Sequence, residues 1–158
     1  MWLLMGCGYH LVGKETHLPP EIRSLAIPLF ANKTFEPGIE VPFTQGFLRE
    51  FIQDRRMRVT AREEADSILE GVIKAFQISS SSYDRSGVAQ EYQVTVVLDL
   101  TLRMKNGEVL WVEKDLSDSR FYRASANVLL TESNKAAAIQ SLARWMAGRV
   151  RHRFFSHF

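Results

Sequence analysis

The sequence predicts an α+β two-layer sandwich, with two α-helices packed on one face of a four-stranded, mostly antiparallel sheet. Two observations predict it: long stretches of alternating apolar and polar residues separated by turn signals, and two segments with apolar residues at helical spacing. The 158 residues are 46% apolar and 24% charged, which is ordinary for a globular domain. We therefore expect one domain over residues 24–158.

The first strand and the first helix are predicted from residues 24–54. Residues 24–30 alternate, with Leu25, Ile27 and Leu29 on one face, although Pro28 cannot donate to a ladder. Pro42 suits a first helical turn, so a helix is expected from there to Asp54. Its apolar stripe consists of Phe43, Phe47, Leu48 and Phe51.

Three longer strands are predicted to follow as an antiparallel meander. The first runs from Asp66 to Ser82, and a turn at residues 84–87 leads into the second, at residues 92–104. Asn106-Gly107 is the strongest short hairpin signal and precedes a strand over residues 109–117. The first of these strands is expected to place four apolar residues on one face: Ile68, Val72, Phe76 and Ile78.

The last element is predicted as a helix from Glu132 to Phe154, with Thr131 or Ser133 as the N-cap. Its apolar face comprises Ile139, Leu142, Ala143, Met146 and Val150. Its alanines, Ala136, Ala137, Ala143 and Ala147, would let it lie close against a sheet.

The motifs that usually mark catalysis or cofactor binding do not occur in this sequence. It contains no phosphate-binding glycine loop, no dinucleotide fingerprint and no H-E-x-x-H zinc motif. The four histidines lie near the two ends of the chain, and the paired carboxylates have no context that would tune them for acid–base chemistry. We therefore predict no enzyme, no catalytic residue, no metal and no cofactor.

The basic residues leave two interpretations open. Arginines crowd the end of each predicted helix, where cations complement the helix dipole, or where they could bind phosphates. Arg85 differs because it lies at a predicted turn tip beside Tyr83, where a guanidinium fork can grip an anion. The formal net charge of +2 is too small to indicate a nucleic-acid partner.

The N-terminus resembles the end of a bacterial lipoprotein signal peptide. Cys7 follows a short apolar stub in which Leu4 and Gly6 fit the lipobox pattern. We therefore interpret residues 1–6 as the remnant of a signal peptide, with the true start upstream, and residues 7–23 as a lipid-anchored tether. An incidental cysteine in a cytosolic protein is the alternative.

Several short motifs in order resemble the LptE family of lipopolysaccharide-assembly lipoproteins. They are Cys-Gly-Tyr-His-Leu at residues 7–11, Phe-Ala-Asn-Lys-Thr at residues 30–34, Glu-Tyr-Gln at residues 91–93 and Phe-Tyr-Arg at residues 121–123. The resemblance covers the chain from Cys7 onward. It implies two helices on a four-stranded sheet, in agreement with the periodicity.

The resemblance also implies a function. LptE proteins are anchored by lipid on the N-terminal cysteine to the periplasmic face of the Gram-negative outer membrane, plug the LptD β-barrel in a 1:1 complex and bind lipopolysaccharide. By this resemblance Cys7 is the lipidated residue and Arg85 a lipopolysaccharide contact. Some relatives carry a lysine where this chain has Thr131, so Lys135, one turn further on, is the expected substitute.

Two other functions remain as alternatives. The first is a different periplasmic lipoprotein that binds a small anionic or lipid ligand between helices and sheet. The second is a cytosolic nucleic-acid binder that uses the arginine-rich final helix, which the balanced charge and the lack of a recognition motif disfavour.

Overall fold

The computed structural model describes residues 21–158, which form a layer of two helices on one face of a mixed sheet. The strands are β1 (Ser24–Ala26), β2 (Ala31–Asn32), β3 (Arg58–Val59), β4 (Ser67–Tyr83), β5 (Ala89–Met104) and β6 (Val109–Arg123). The helices are α1 (Glu40–Asp54) and α2 (Val128–His157).

The predicted two-layer α+β architecture is confirmed, but the four-stranded sheet is wrong in detail. The sheet has six strands in the order β3-β1-β4-β5-β6, with β2 also paired to β4. The long strands β4, β5 and β6 form the predicted antiparallel meander, whereas β1 pairs in parallel with both β3 and β4, and β2 pairs in parallel with β4. The two additional strands, β2 and β3, have only two residues each and are too short to produce a period, so alternation in the sequence could not reveal them.

The first predicted strand is interrupted. It was expected to run through residue 30 with Leu29 on its apolar face, yet β1 ends at Ala26 and Leu29 is 63% exposed. Pro28 offers no N–H for a ladder, so the chain leaves the sheet and rejoins it as β2. Phe30 is thereby buried at 2% exposure, and its N–H donates to Thr44 Oγ1 of α1 at 3.0 Å.

The face assignment predicted for β4 is also wrong, because a register shift lies between Ile73 and Ala75. Before the shift, Leu69 and Ile73 pair with the buried Leu102 and Leu98. Ile68 and Val72 consequently lie on the face away from the helices. After the shift, Phe76 pairs with the buried Val96 and joins the core. One extra residue in a strand moves every side chain after it to the opposite face of the sheet.

The core lies between the helices and the sheet face that they cover. From β5 it takes the alternate residues of the predicted apolar face: Val94, Val96, Leu98, Leu100 and Leu102. Helix α1 contributes the predicted aromatic residues Phe43, Phe47 and Phe51, all at most 1% exposed. The predicted helical stripe of α2 is buried as well. Leu48, the remaining member of the predicted α1 stripe, is only partly buried against the core.

Helix α2 begins earlier than predicted. Its N-cap is Asn127, whose Oδ1 accepts a hydrogen bond from the N–H of Leu129 at 2.9 Å. Neither Thr131 nor Ser133 caps the helix. Thr131 Oγ1 instead accepts from the N–H of Ser125 at 2.9 Å and so fixes the link from β6. The three aliphatic residues after Asn127 are exposed and do not face the core, so the apolar stripe of the helix does not extend back to its first residue.

Candidate functional site

The β4–β5 hairpin extends beyond the layer of helices. Every residue from 77 to 88 is exposed, so both faces of this part of the hairpin are open to solvent. The four consecutive serines, residues 79–82, lie on it, and the Ser81 hydroxyl donates to Glu91 Oε2 at 3.1 Å. A two-stranded ribbon without a covered face has little packing of its own and depends on its turn.

The turn is organised by one carboxylate, Asp84. Its Oδ1 accepts from the N–H groups of Ser86 and Val88 at 2.8 and 2.9 Å, and its backbone N–H donates to the Val88 carbonyl at 2.9 Å. Gly87 has φ +79°, a conformation that side chains disfavour. We call residues 83–88 the hairpin tip; its backbone is held without any contribution from the side chain of Arg85.

Arg85 therefore presents a free guanidinium at the hairpin tip. It is exposed and makes no hydrogen bond or ion pair with any described residue. Its neighbours Tyr83 and Val88 are 62% and 58% exposed. A cation between exposed apolar groups is suited to an amphiphile that carries anionic and apolar parts.

The start of α2 lies at the same end of the molecule. The N–H of Ala124, just after β6, donates to the Gln90 carbonyl of β5 at 3.0 Å, and α2 begins four residues later. Its first turn carries Val128, Leu129 and Leu130 at 72%, 80% and 51% exposure. The sequence analysis did not predict this exposed apolar turn, although the run Val-Leu-Leu just before the predicted helix could have indicated it.

Lys135 is placed differently from Arg85. Its Nζ donates to Glu36 Oε1 at 2.6 Å and lies 5.7 Å from the ring centroid of Phe76, and its side chain is 17% exposed. Phe76 precedes the hairpin tip by seven strand residues, roughly 23 Å of extended chain. The structure thus does not bring the two predicted contacts to one point, and an internal carboxylate already neutralises Lys135.

The sheet face opposite the helices is mixed in character, as the alternation of β5 predicts. Lys74 Nζ lies 2.6 Å from Asp115 Oδ1 and 3.3 Å from Asp99 Oδ2. The hydrogen bond to Asp115 raises the pKa of Lys74. Burial opposes ionisation of Asp99, but the N–H of Asp115 and the Lys74 ammonium together lower its pKa. The face thus combines these paired charges with exposed apolar residues, among them Val112 and Phe121.

The other predictions about sites concern residues that the structure does not describe or groups that it does not bring together. Cys7, with the signal remnant of residues 1–6 and most of the tether of residues 7–23, lies outside the described residues. Within residues 21–158, no group of three or more His, Cys, Asp or Glu side chains could hold a metal ion. Neither helix in that range combines the length and the apolar composition needed to cross a membrane.

These features define a small α+β domain with an exposed hairpin and an exposed apolar helix end. The chain belongs to the LptE family, because the family model described as lipopolysaccharide-assembly matches residues 22–154. This is a family of non-enzymatic assembly lipoproteins. No curated protein sequence matches the chain.

Solved structures of lipoproteins share the fold. The chain is similar to rare lipoprotein B from Shewanella oneidensis, with a TM-score of 0.57 and 13% identity over 85% of this chain and 95% of that one. A lipoprotein from Caulobacter crescentus gives a TM-score of 0.61 and 13% identity over 86% and 88% of the two chains. Lipoprotein B from Nitrosomonas europaea gives 0.54 and 15% over 91% and 90%. At such identities the similarity concerns the fold alone.

Proposed function

We propose that this protein is a lipid-anchored assembly factor of the Gram-negative outer membrane that plugs the LptD β-barrel, helps to assemble it and binds lipopolysaccharide during export. In this proposal Cys7 carries the lipid, and the domain stands on the periplasmic face of the membrane. Family membership supports the general role. The free guanidinium of Arg85 at the exposed hairpin tip is the observation that carries the binding step.

The chemistry of the hairpin tip suits lipopolysaccharide, which combines phosphate groups with acyl chains. Arg85 offers five N–H donors in a fork that matches phosphate oxygens. The exposed Tyr83 and Val88 beside it, with the first turn of α2 at the same end, offer apolar contacts. Because Arg85 has no partner among residues 21–158, an anion can bind it without first displacing a carboxylate of that part of the chain.

Lys135 is proposed as a weaker, second contact. A phosphate would have to compete with the Glu36 carboxylate, which already lies 2.6 Å from Nζ. We therefore expect Lys135→Gln to reduce lipopolysaccharide binding less than Arg85→Glu does.

The plug role finds support in the sheet face opposite the helices. The lumen of an outer-membrane barrel is polar, so a protein inside it needs a mixed, hydrogen-bonding surface. The paired charges of Lys74, Asp99 and Asp115, beside the exposed Val112 and Phe121, give such a mixed surface.

The proposal is tested by affinity purification of the tagged full-length protein from detergent-solubilised outer membranes, with lipopolysaccharide and bound proteins both quantified. We expect a stoichiometric large β-barrel protein with the wild type and with Arg85→Glu. Lipopolysaccharide recovery should fall roughly tenfold with Arg85→Glu, in keeping with the loss of one charge-assisted contact.

Arg62→Gln is the matched control, because Arg62 is another exposed arginine, 3.9 Å from its nearest carboxylate at Glu70. Recovery of the chain without a barrel protein would refute the plug role. Equal lipopolysaccharide recovery with Arg85→Glu and the wild type would refute the contact at the hairpin tip.

A further inference from the structure

Helices α1 and α2 approach very closely at one point, and a small pocket opens beside it. A Cβ on Gly46 would lie 3.1 Å from the backbone carbon of Ala143, so the missing side chain permits the approach. The neighbouring pocket has a volume of about 120 Å³. It is lined by Pro42, Gln45, Gly46 and Arg49 of α1 and by Gln140 and Arg144 of α2. We call it the arginine notch.

The two arginines of the notch have no polar partner within residues 21–158. Neither Arg49 nor Arg144 makes a hydrogen bond or ion pair there, and no carboxylate from that part of the chain lines the notch. The three other arginines further along α2 are all paired, Arg149 with Asp118, Arg151 with Asp54 and Glu50, and Arg153 with Glu113. Helix α2 therefore pairs these three arginines with carboxylates, whereas Arg144, which lines the notch, has no carboxylate partner among the described residues.

We propose that the arginine notch binds a phosphate group. Two guanidinium forks match the charge of about −2 and the three terminal oxygens of a phosphomonoester, and the amides of Gln45 and Gln140 supply further donors. The volume is well below the roughly 300 Å³ of a site that encloses a whole small molecule, so the notch takes the anionic group rather than the body of its ligand. A carboxylate of a protein partner, with one charge and two oxygens, fits the two forks less completely.

The surroundings allow the phosphate to belong to a larger molecule. Arg144 also lines an adjoining surface depression of about 540 Å³, which holds Arg120, His152, the half-exposed Trp145 and one carboxylate, Glu50, that is paired with Arg151. The ligand is thus either free phosphate or a phosphorylated headgroup whose remainder lies over Trp145. Arg144 lies 16 residues from the start of α2, about 24 Å along the helix, so the notch is separate from the hairpin tip.

Two probes distinguish the sources of the phosphate. Inorganic phosphate is titrated by calorimetry into the full-length Cys7→Ala protein, which carries no lipid anchor, and sedimentation of the same protein is measured with phosphatidylcholine vesicles that contain or lack phosphatidic acid. Arg49→Gln and Arg144→Gln are each expected to weaken binding roughly tenfold, and the double variant to abolish it. Both side chains are exposed, so the fold should be retained, and Arg62→Gln serves again as the matched control.

Saturable binding of inorganic phosphate that is lost in the double variant supports phosphate binding at the notch and shows that a free phosphate ion is enough to occupy it. Binding only to vesicles with phosphatidic acid, again lost in the double variant, supports the notch and identifies a headgroup. The inference is overturned if the wild type binds neither probe, if the double variant binds as the wild type does, or if Arg62→Gln loses as much. Loss of a protein partner from the double variant without any phosphate binding would assign the notch to an acidic protein surface and overturn it too. Because Arg85 is unchanged in every variant, failure here leaves the test of the hairpin tip unaffected.

Discussion

Replacing Gly71 by alanine should destabilise the protein, although alanine is ordinarily the better residue for a regular backbone. Gly71 lies in β4 directly beneath the ring of Phe30, and an added Cβ would lie 2.6 Å from three of its ring atoms. Ordinary contacts begin at 3.4 Å, so the ring would have to move by about 0.8 Å.

The expected magnitude follows from what holds the ring. Phe30 is 2% exposed and packs edge-on against Phe47, with the centroids 5.0 Å apart. Overpacking of this kind destabilises the folded protein by about 1–3 kcal/mol. Alanine also restricts the unfolded chain more than glycine does, which stabilises the folded state by about 0.4–1 kcal/mol. We expect Gly71→Ala to lower the free energy of unfolding by about 1–2 kcal/mol.

Urea unfolding followed by circular dichroism measures this change. A second substitution, Phe30→Leu, removes part of the ring, so the cost of Gly71→Ala should shrink in that background. Gly148→Ala in α2 is the matched control, because its Cβ would meet only Glu50 Oε2 at 3.7 Å. That variant should be as stable as the wild type or more stable, by up to about 1 kcal/mol. An unchanged midpoint for Gly71→Ala, or an equal cost with and without Phe30, would refute the steric argument.

Three further outcomes are expected. Cys7→Ala should move the protein to the soluble fraction when no barrel partner is co-expressed, as fractionation and immunoblotting would reveal; retention in the membrane would contradict the lipid anchor. The hydrogen bond from Arg56, with a further one from Arg151, lowers the pKa of Asp54 from 3.8 to about 2 despite the opposing effect of burial, and its side chain is 3% exposed. Because this pKa is lowered in the folded protein, the ionised carboxylate stabilises the fold above about pH 4, and this stabilisation is lost as the pH falls toward 2. Asp54→Asn should therefore lower the free energy of unfolding by about 2 kcal/mol at neutral pH and by much less at pH 2. Urea titrations at both pH values measure the difference, and a difference independent of pH would disprove the argument. Arg85→Glu should leave the free energy of unfolding within about 0.5 kcal/mol of the wild type, because the hairpin tip is held by Asp84, and a larger loss in the same assay would show that Arg85 is structural.

The sequence predicts the meander and both helices because those elements are long enough for their periods to appear. The alternation of β5 continues over most of its 16 residues, and the aromatic stripe of α1 recurs at helical spacing. The turn at residues 84–87 with Arg85 at its tip is predicted as well, since Asp, Ser and Gly favour turns for local reasons.

Other features depend on contacts between residues that are far apart in the sequence, which local patterns do not predict. The two-residue strands β2 and β3 exist because β4 and β1, respectively, offer them a ladder, not because two residues prefer an extended backbone. The ion pair of Lys135 joins residues 99 positions apart, so its neutralisation by Glu36 could not be foreseen. The arginine notch likewise requires α1 and α2 to meet at Gly46 and Ala143.

The class of fold, the exposed cationic turn and the motifs that lead to the family can all be predicted from the sequence, since each depends on residues near one another in the chain. Which cations stay unpaired within residues 21–158 depends instead on the tertiary structure. Charge pairing is a matter of distances between elements: Arg149 and Lys135 acquire carboxylates from other parts of the chain, whereas Arg85, Arg49 and Arg144 acquire none among the described residues. A free cation can bind an external anion without first losing an internal partner, and this places the proposed binding sites at the hairpin tip and at the arginine notch.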